Sequence, residues 1–424
     1  MIVPSIDIMG GRAVQLVGGK DKALDAGDPR PLAEQFGVVG EIAVIDLDAA
    51  LGQGSNEAVV GELCRIARCR VGGGIRSVES ARRWLDAGAA CVILGTAATP
   101  EILGALPRER VMAALDAVDG EVVVNGWRTK TGARVVDRLR DLREVAGGIL
   151  ATFVEREGRM TGLDLERARE LAALAGPAHL TVAGGITAAS EVAALDKAGI
   201  DAQVGMALYT GRLPLADAVA APLVSDRPDG LWPTVVTDES GRALGLAYSS
   251  TDSLREALDH RRGVYHSRRR GIWVKGETTG DTQELLRIDA DCDRDALRFT
   301  VRQRGRGFCH TGDETCWGAP AGLRALERRI ADRLGSAPPG SYTARLTGDP
   351  GLLASKLREE ARELADAAGA DAGLCEAADL FYFALVKMVQ SGVRLADVEH
   401  ELDRRALAVT RRPGDAKPAE AERR

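Results

Sequence analysis

Short apolar runs alternate with amphipathic stretches through the first half of the chain. Runs typical of strands occur at residues 2–6, 41–46, 91–94, 111–115, 148–152, 180–182 and 201–204. Stretches with helical periodicity, such as residues 78–87 and 164–175, lie between them. Because repeated strand and helix units of this length are typical of parallel α/β folds, we predict a (β/α)₈ TIM barrel over residues 1–222.

The predicted barrel repeats internally at an offset of 109 to 111 residues, which indicates two similar half-barrels. Three pairs of positions carry the repeat: Gly73-Gly74 with Gly184-Gly185, Gly95-Thr96 with Gly205-Met206, and Asp7 with Asp116. Glycines at strand ends let backbone N–H groups approach an anion. The pairs therefore predict two phosphate-binding sites and a substrate with a phosphate at each end, whereas a lone glycine pair would be only a tight turn.

Asp7 and Asp116 are predicted at the carboxyl ends of the first and fifth barrel strands, where two facing carboxylates can act as base and acid. With the motifs at residues 4–7, 72–77, 126–127 and 204–209, they make the segment similar to the phosphoribosylformimino-5-aminoimidazole carboxamide ribotide isomerases of histidine biosynthesis. The resemblance implies an Amadori rearrangement of a bisphosphorylated ribotide. It also implies that Asp7 is the general base, Asp116 the general acid and Thr152 a supporting hydroxyl.

The segment departs from that family after the sixth predicted strand. The family has Thr-Asp-Ile followed by Arg-Asp-Gly, and this chain has Thr152-Phe153 followed by Arg156-Glu157-Gly158. Phe153 removes a carboxylate from the loop. An inert barrel kept as a scaffold is therefore an alternative hypothesis.

An acidic stretch with one thiol, at residues 291–295, dominates the next segment. The alternation of residues 283–301 predicts one continuous strand, which would place three carboxylates on one face and Cys292 on the other. Asp291, Asp293 and Asp295 are hard ligands suited to Mg²⁺, while Cys292, Cys309 and Cys316 are soft ligands suited to Zn²⁺. Three thiolates leave an open zinc position for water, as in a catalytic site. The alternative is an acidic turn near unrelated cysteines.

The neighbouring motifs at residues 263–280 and 307–312 make residues 226–317 closely resemble phosphoribosyl-AMP cyclohydrolase, which opens a purine ring. The resemblance implies that the three cysteines hold Zn²⁺ across a homodimer interface and the three aspartates hold Mg²⁺. We expect a mixed α+β domain over residues 223–320. Arg268 and Lys275 are candidates for contact with the substrate phosphate, and His310 and His266 for proton transfer, although either histidine could instead be structural.

Residues 321–412 are predicted to be all-helical, with helices near residues 323–334, 351–368, 374–391 and 395–409 and a turn at 336–340. Five carboxylates at helical spacing converge as a candidate Mg²⁺ site: Glu359, Glu360, Glu363, Glu376 and Asp379. Solvated glutamates are ordinary on helices, but this order after residues 341–346 resembles phosphoribosyl-ATP pyrophosphatase. Residues 413–424 are charged and are expected to form a disordered tail.

The composition of the chain limits its possible binding partners and its cellular compartment. A net charge of −6, with Lys and Arg spread along the chain, argues against a nucleic-acid partner. Seven cysteines, an odd number, favour a reducing compartment. No apolar leader or membrane-length run is evident, so we expect a soluble cytoplasmic protein with no membrane partner.

The three resemblances fall on successive reactions of histidine biosynthesis. They predict a multifunctional enzyme that takes phosphoribosyl-ATP to phosphoribosyl-AMP, opens the purine ring and isomerises the product. Two alternatives stay open: a bifunctional hydrolase with an inert barrel, and a nucleotide-binding regulatory protein whose metals are structural.

Overall fold

A computed structural model describes residues 1–19, 21–318, 321–336 and 340–410. The chain divides into two compact units. The first comprises Met1–Asp238, Leu246–Gly305 and the described residues from Leu407 onward, and the second comprises Glu239–Gly245 and Arg306–Ala406.

Strands and helices alternate through the first 220 residues of the first unit. In chain order the elements are β1 Ile2–Met9, β2 Arg12–Val17, β3 Asp21–Gly27, α1 Pro29–Phe36, β4 Ile42–Asp46, α2 Leu47–Leu51, α3 Glu57–Ile66, β5 Cys69–Gly72, α4 Val78–Asp86, β6 Cys91–Leu94, α5 Pro100–Gly104, β7 Val111–Val118, β8 Glu121–Val124, β9 Thr129–Arg134, α6 Val135–Leu142, β10 Gly148–Phe153, α7 Leu165–Leu174, β11 His179–Ala183, α8 Ala189–Lys197, β12 Asp201–Val204, α9 Met206–Tyr209 and α10 Leu215–Ala220.

Eight parallel strands close into a barrel, which confirms the predicted fold. Their order is β1, β4, β5, β6, β7, β10, β11 and β12, and β12 pairs with β1 in register Ile2 to Ala202. The sequence pattern missed β5, because this strand is only four residues long and a charged Arg70 interrupts its apolar run. Arg70 instead forms ion pairs with Glu41 at 2.7 Å and Asp201 at 2.9 Å.

Two apolar layers hold the barrel together. A small cluster that includes Cys91, Ile93 and Met112 fills the interior, and a larger one packs the strands against the surrounding helices. Asp46 shows how strand ends are fixed: its carboxylate caps α2 by accepting from the Ala49 N–H at 3.0 Å and also accepts from the Asn56 N–H at 2.7 Å. The loops that follow the strands therefore start from fixed positions.

The central segment has β13 Trp232–Thr237, β14 Ala243–Ser249, α11 Thr251–His260, β15 Val264–Ser267, β16 Gly271–Val274, β17 Gln283–Ala290 and β18 Leu297–Gln303. Four strands form a mixed sheet in the order β14, β13, β18, β17, and β15 pairs with β16 in a separate hairpin. The predicted mixed α+β class is confirmed.

The continuous strand predicted over residues 283–301 is wrong. β17 and β18 form an antiparallel hairpin, with Ala290 opposite Leu297, and residues 291–296 make the turn between them. Asp291 stabilises the turn because its Oδ1 accepts from the N–H groups of Asp295 at 3.0 Å and Ala296 at 3.1 Å. Asp residues favour turns through such side-chain bonds to nearby backbone, and this preference outweighs the period-two pattern.

The second unit is helical after residue 321, as predicted. Its helices are α12 Gly322–Ser336, α13 Tyr342–Gly348, α14 Pro350–Asp366, α15 Ala370–Gln390 and α16 Leu395–Ala406. They enclose a core that includes Ile330, Leu353 and Phe383. Residues 337–339 of the predicted turn, and the predicted tail at 413–424, lie outside the described residues. Among the described helices, none combines the length and apolar character needed to cross a bilayer.

Candidate active sites

A cavity opens at the carboxyl ends of the barrel strands, and it brings the predicted barrel residues together. Asp7 on β1, Asp116 on β7 and Thr152 on β10 contribute side chains to its wall. The eight residues predicted to bind phosphate also line it: Gly73, Gly74, Gly95, Thr96, Gly184, Gly185, Gly205 and Met206.

Asp7 keeps part of its surface open to the cavity while protein surrounds the rest. Desolvation raises the pKa of its carboxyl to about 6, and a hydrogen bond from Ser5 Oγ, at 3.2 Å, partly offsets that rise. An aspartate with this pKa is ionised at neutral pH and is a stronger base than an exposed one. The geometry suits proton abstraction.

Asp116 has two hydrogen-bond partners. Thr152 and Trp127 both bond to its carboxylate and lower its pKa, but desolvation is larger and the pKa is raised overall. Thr152 is buried, so its hydroxyl, which bonds to the Asp116 carboxylate, is enclosed by protein. This bond is consistent with the predicted role of Thr152 as a hydroxyl that supports Asp116, which stays a prediction.

Glu157 is a third carboxylate in the cavity and was not among the predicted site residues. Desolvation, together with the charges of Asp7 and Asp116, raises the pKa of Glu157 to about 8. Its side chain is therefore protonated at neutral pH and can donate a proton. The signal in the sequence was the Arg156-Glu157-Gly158 motif, which was interpreted only as a departure from the family pattern.

Phe153 does not line the cavity. Side chains alternate along β10, so Thr152 points inward and Phe153 points toward the helices. Phe153 is 2% exposed, and the guanidinium carbon of Arg167 on α7 lies 5.3 Å from its ring centroid. The loss of a carboxylate at position 153 therefore leaves the three acidic groups of the cavity in place.

The two glycine pairs adopt matching conformations. Gly73 and Gly184 have φ of 94° and 96°, in the left-handed region that side chains rarely enter. A Cβ on Gly73 would lie 2.2 Å from the Asp46 carbonyl oxygen, and one on Gly184 would lie 2.5 Å from that of Phe153. Each pair thus folds tightly over the end of the preceding strand and leaves backbone open toward the cavity.

Two side-chain amides in the cavity each have one atom without a hydrogen-bond partner among the described residues. Gln15 Nε2 and Gln203 Oε1 are buried without a hydrogen bond in the part of the chain that the structure describes, and both residues line the cavity. An unmet buried donor and acceptor favour a polar ligand at this place.

The acidic turn of the central segment gathers its carboxylates. Oxygens of Asp291, Asp293 and Asp295 lie within 4.8 Å of one another. Repulsion from Asp293 is the largest influence on Asp295 and raises its pKa. For Asp291, desolvation is the largest single influence, but a backbone bond from Ala296 together with bonds involving Asp295 and Asp293 lowers its pKa overall. Crowded carboxylates with oxygen donors fit a hard divalent cation.

The predicted zinc ligands divide between the units: Cys292 belongs to the first, and Cys309 and Cys316 to the second. None of the three forms a disulfide. Hydrogen bonds from Thr311, whose Oγ1 lies 3.1 Å from Cys309 Sγ, and from Cys316 lower the pKa of Cys309. This favours the thiolate that zinc requires, so the donor chemistry fits.

His266 and Arg268 share a surface pocket with Asp229, Ser250 and Asp252. The nitrogen Nδ1 of His266 lies 3.3 Å from Ser250 Oγ, and the guanidinium of Arg268 lies 4.9 Å from the Tyr248 ring centroid. These two predicted residues therefore lie together in the first unit.

Lys275 and His310 lie elsewhere. Lys275 is 6% exposed and its Nζ donates to the Asp281 carbonyl at 3.1 Å, and its predicted contact with a substrate phosphate stays a prediction. The sequence pattern could not reveal this burial. His310 is exposed in the second unit, with Nδ1 3.9 Å from Cys309 Sγ.

The helical unit assembles its five predicted carboxylates into two overlapping groups. Oxygens of Glu359, Glu360 and Glu363 lie within 4.8 Å of one another, as do those of Glu360, Glu376 and Asp379. Glu360 is shared by both groups and is 5% exposed.

Charge within this helical cluster favours a cation. Desolvation and then repulsion from Glu363, Glu360 and Asp379 raise the pKa of Glu376. Lys356 Nζ lies 2.9 Å from Glu360 and 3.0 Å from Glu359, and these bonds raise the pKa of the lysine. One ammonium group does not balance five carboxylates, so the donor set fits Mg²⁺.

The fold and these sites define a multidomain chain that joins a barrel with an acidic cavity to thiol and carboxylate clusters. Residues 1–214 match the family model described as histidine biosynthesis protein, residues 245–318 that of phosphoribosyl-AMP cyclohydrolase, and residues 323–406 that of phosphoribosyl-ATP pyrophosphohydrolase. The chain belongs to the histidine biosynthesis protein family. The predicted order of three domains is confirmed.

Similar proteins come from fungi and an archaeon. The chain is 47% identical over 262 residues to a histidine biosynthesis trifunctional protein of Neurospora crassa, covering 62% of this chain and 28% of that protein. It is 50% identical over 212 residues to a histidine biosynthesis bifunctional protein of Schizosaccharomyces pombe, covering 50% and 51%. The chain thus spans about a quarter to a half of these fungal relatives.

The archaeal protein, from Methanosphaerula palustris, is named as an isomerase of a phosphoribosylated imidazole-4-carboxamide. It is 39% identical over 233 residues, covering 52% of this chain and 98% of that protein.

Proposed function

We propose that the chain catalyses three steps of histidine biosynthesis: release of pyrophosphate from phosphoribosyl-ATP, opening of the purine ring of phosphoribosyl-AMP, and isomerisation of the resulting bisphosphorylated ribotide. The observation that carries the proposal is that three family matches, in one chain, each fall on a segment with a matching cluster of reactive side chains. We place the domain boundaries near residues 222 and 320.

In the barrel, the glycine turns would hold the two substrate phosphates through backbone N–H groups, with the reacting sugar between them. Asp7 is ionised at neutral pH and serves as the base that removes a carbon-bound proton. Asp116 or the protonated Glu157 supplies the proton that opens the sugar ring. Both donors line the same cavity as Asp7.

In the cyclohydrolase segment, Cys292, Cys309 and Cys316 would hold Zn²⁺ and Asp291, Asp293 and Asp295 would hold Mg²⁺. Bound zinc supplies a water whose pKa is near 7. His266 and His310 are candidates to move protons, and Arg268 to meet the phosphate. Because the thiols divide between two compact units, a homodimer that shares them is part of the proposal.

In the helical unit, Glu359, Glu360, Glu363, Glu376 and Asp379 would hold Mg²⁺, which neutralises charge developing on the phosphates. Seven cysteines, none of them in a disulfide, fit a reducing compartment, and we propose the cytoplasm. The partners are small phosphorylated ligands, with neither nucleic acid nor membrane involved.

The test is to assay the purified full chain, supplied with Zn²⁺ and Mg²⁺, separately with each of the three substrates. We expect turnover at every step. Hydrolysis of the first two substrates without isomerisation of the third would reduce the barrel to a scaffold. If the chain releases no pyrophosphate from phosphoribosyl-ATP in the presence of Mg²⁺, the proposal for the helical unit is excluded.

A further inference from the structure

Arg294 lies inside the acidic turn, yet its side chain reaches the barrel. Its Nε and Nη2 donate to the two carboxylate oxygens of Asp196 on α8, at 3.0 and 2.9 Å. The side chains of Arg294 and Asp196 are only 25% and 10% exposed. A bidentate, partly buried ion pair of this kind is stronger than a solvent-exposed one.

Arg294 is fixed at two further points. Its Nη1 donates to the Asp291 carbonyl at 3.0 Å, and its own carbonyl accepts from the Val224 N–H at 2.9 Å. Its φ of 67° is in the left-handed region, which an arginine occupies only where surrounding structure holds it there.

The conformation of Arg294 sets the direction of its neighbours. Asp293 and Asp295 flank it, and their carboxylates converge with that of Asp291. The Arg294 side chain is bonded to Asp196, which lies outside the turn and within the barrel segment. The same carboxylate also contacts the amino terminus of Met1 at 3.0 Å, so it is itself held in place.

We propose that Asp196 is a positioning residue that holds the turn at residues 291–296 in its cation-binding conformation, so that the barrel segment sets the divalent-cation affinity of the cyclohydrolase segment. This inference rests on the proposed function, in which the three aspartates of the turn bind Mg²⁺. It assigns the barrel segment a role that does not depend on its own chemistry.

The test measures Mn²⁺ binding to the full chain by electron paramagnetic resonance, in a Glu376→Gln background that weakens binding at the helical cluster. Asp196→Asn should weaken binding at the turn about tenfold, as expected when a residue that orients a ligand is lost. Arg294→Gly should do the same, although glycine accepts the left-handed φ. That result would separate loss of the anchor from backbone strain.

Two variants act as controls. Asp196→Glu keeps the carboxylate and should restore most of the affinity. Asp217→Asn removes a comparable ion pair, in which Asp217 on α10 lies 2.8 Å from Arg255 on α11, but that pair does not reach the turn. It should leave Mn²⁺ affinity unchanged.

The outcomes separate the two hypotheses. If Asp293→Asn loses Mn²⁺ binding while Asp196→Asn and Arg294→Gly both bind like the parent, the positioning role is overturned and the metal assignment stands. If Asp293→Asn also binds like the parent, the turn is not a cation site and both ideas fail. Should Asp196→Asn not fold, Arg294→Gly alone decides.

Discussion

The barrel cavity and the helical cluster both gather carboxylates, but they do so in opposite surroundings. In the cavity, desolvation dominates and raises the pKa of Asp7 to about 6 and that of Glu157 to about 8. In the helical cluster, most of the carboxylates are at least partly exposed, five lie close together, and Lys356 already pairs with two of them.

The difference shows how surroundings decide what a carboxylate can do. A few carboxylates enclosed by protein relieve their repulsion by holding protons, which suits acid and base chemistry. Carboxylates that remain open to solvent carry their charge at lower cost and can relieve their repulsion by binding cations, although desolvation also raises the pKa of Glu376. Under the proposed function, the same residue types therefore support proton transfer in one region and metal binding in the other.

The largest expected effect tests whether the carboxylates of the barrel cavity transfer protons. Asp7→Asn keeps the shape of the side chain but removes the base, so isomerase kcat/KM should fall by about 10³ to 10⁴. Steady-state assays with the ribotide measure this fall, and the two hydrolase activities of the same preparation serve as internal controls. A loss of less than tenfold would mean that Asp7 is not the base.

For the helical cluster, we expect a smaller change, in Mg²⁺ affinity. Glu360→Gln removes the carboxylate shared by both groups of the helical cluster and should weaken Mg²⁺ affinity by about 10- to 100-fold. Titration of pyrophosphate release against Mg²⁺ measures it. Glu401→Gln is the matched control, because Glu401 pairs with Arg404 and Arg405 on α16 and lies outside the cluster. Equal effects of both variants would refute the assignment.

The pH dependence of the barrel should differ from that of the helical unit. Isomerase kcat/KM should rise about tenfold per pH unit up to pH near 6, as Asp7 ionises, and fall above pH near 8 if Glu157 is the proton donor. Glu157→Gln would then remove the alkaline limb along with most activity. If the alkaline limb persists in that variant with high activity, Asp116 is the donor instead.

The smallest effect concerns stability. The pKa of Glu157 is about 8 when folded against 4.5 for the ordinary group, so the folded state binds more protons and loses stability as pH rises from 4.5 to 8. Glu157→Gln removes this loss. We expect its barrel to unfold at least about 2–4 °C higher than the parent at pH 8.5, since about 1 kcal/mol alone shifts a domain of this size by that much, and at nearly the same temperature at pH 4.5. Thermal unfolding followed by circular dichroism checks this, and an equal shift at both pH values would contradict it.

Much of the fold followed from periodicity. Seven barrel strands and the long helices of the second unit were predicted within a few residues, because apolar spacing is strong where an element packs on one face. β5 was missed because four residues with one arginine carry too little pattern. α13 was missed because seven residues make barely two turns.

The candidate sites were less predictable, because they depend on three-dimensional surroundings. Helical spacing of i, i+1, i+4 on one helix and i, i+3 on the next predicted that the five carboxylates converge, and the structure places their oxygens in two overlapping groups, whereas the acidic turn was wrongly predicted as strand. Burial explains the remaining differences. Nothing in the order of residues revealed that Glu157 is enclosed with two other acids or that Lys275 is interior.

The matching turns at Gly73 and Gly184 have a consequence for how a ligand enters. Under the proposed function, both ends of the barrel mouth offer nearly the same anchor, so a molecule with a phosphate at each end can enter in either direction with little change in anchoring energy. Productive orientation must then depend on the unlike groups in between, such as Trp127 and Gln15. Backward occupancy would act as self-inhibition at high ligand concentration.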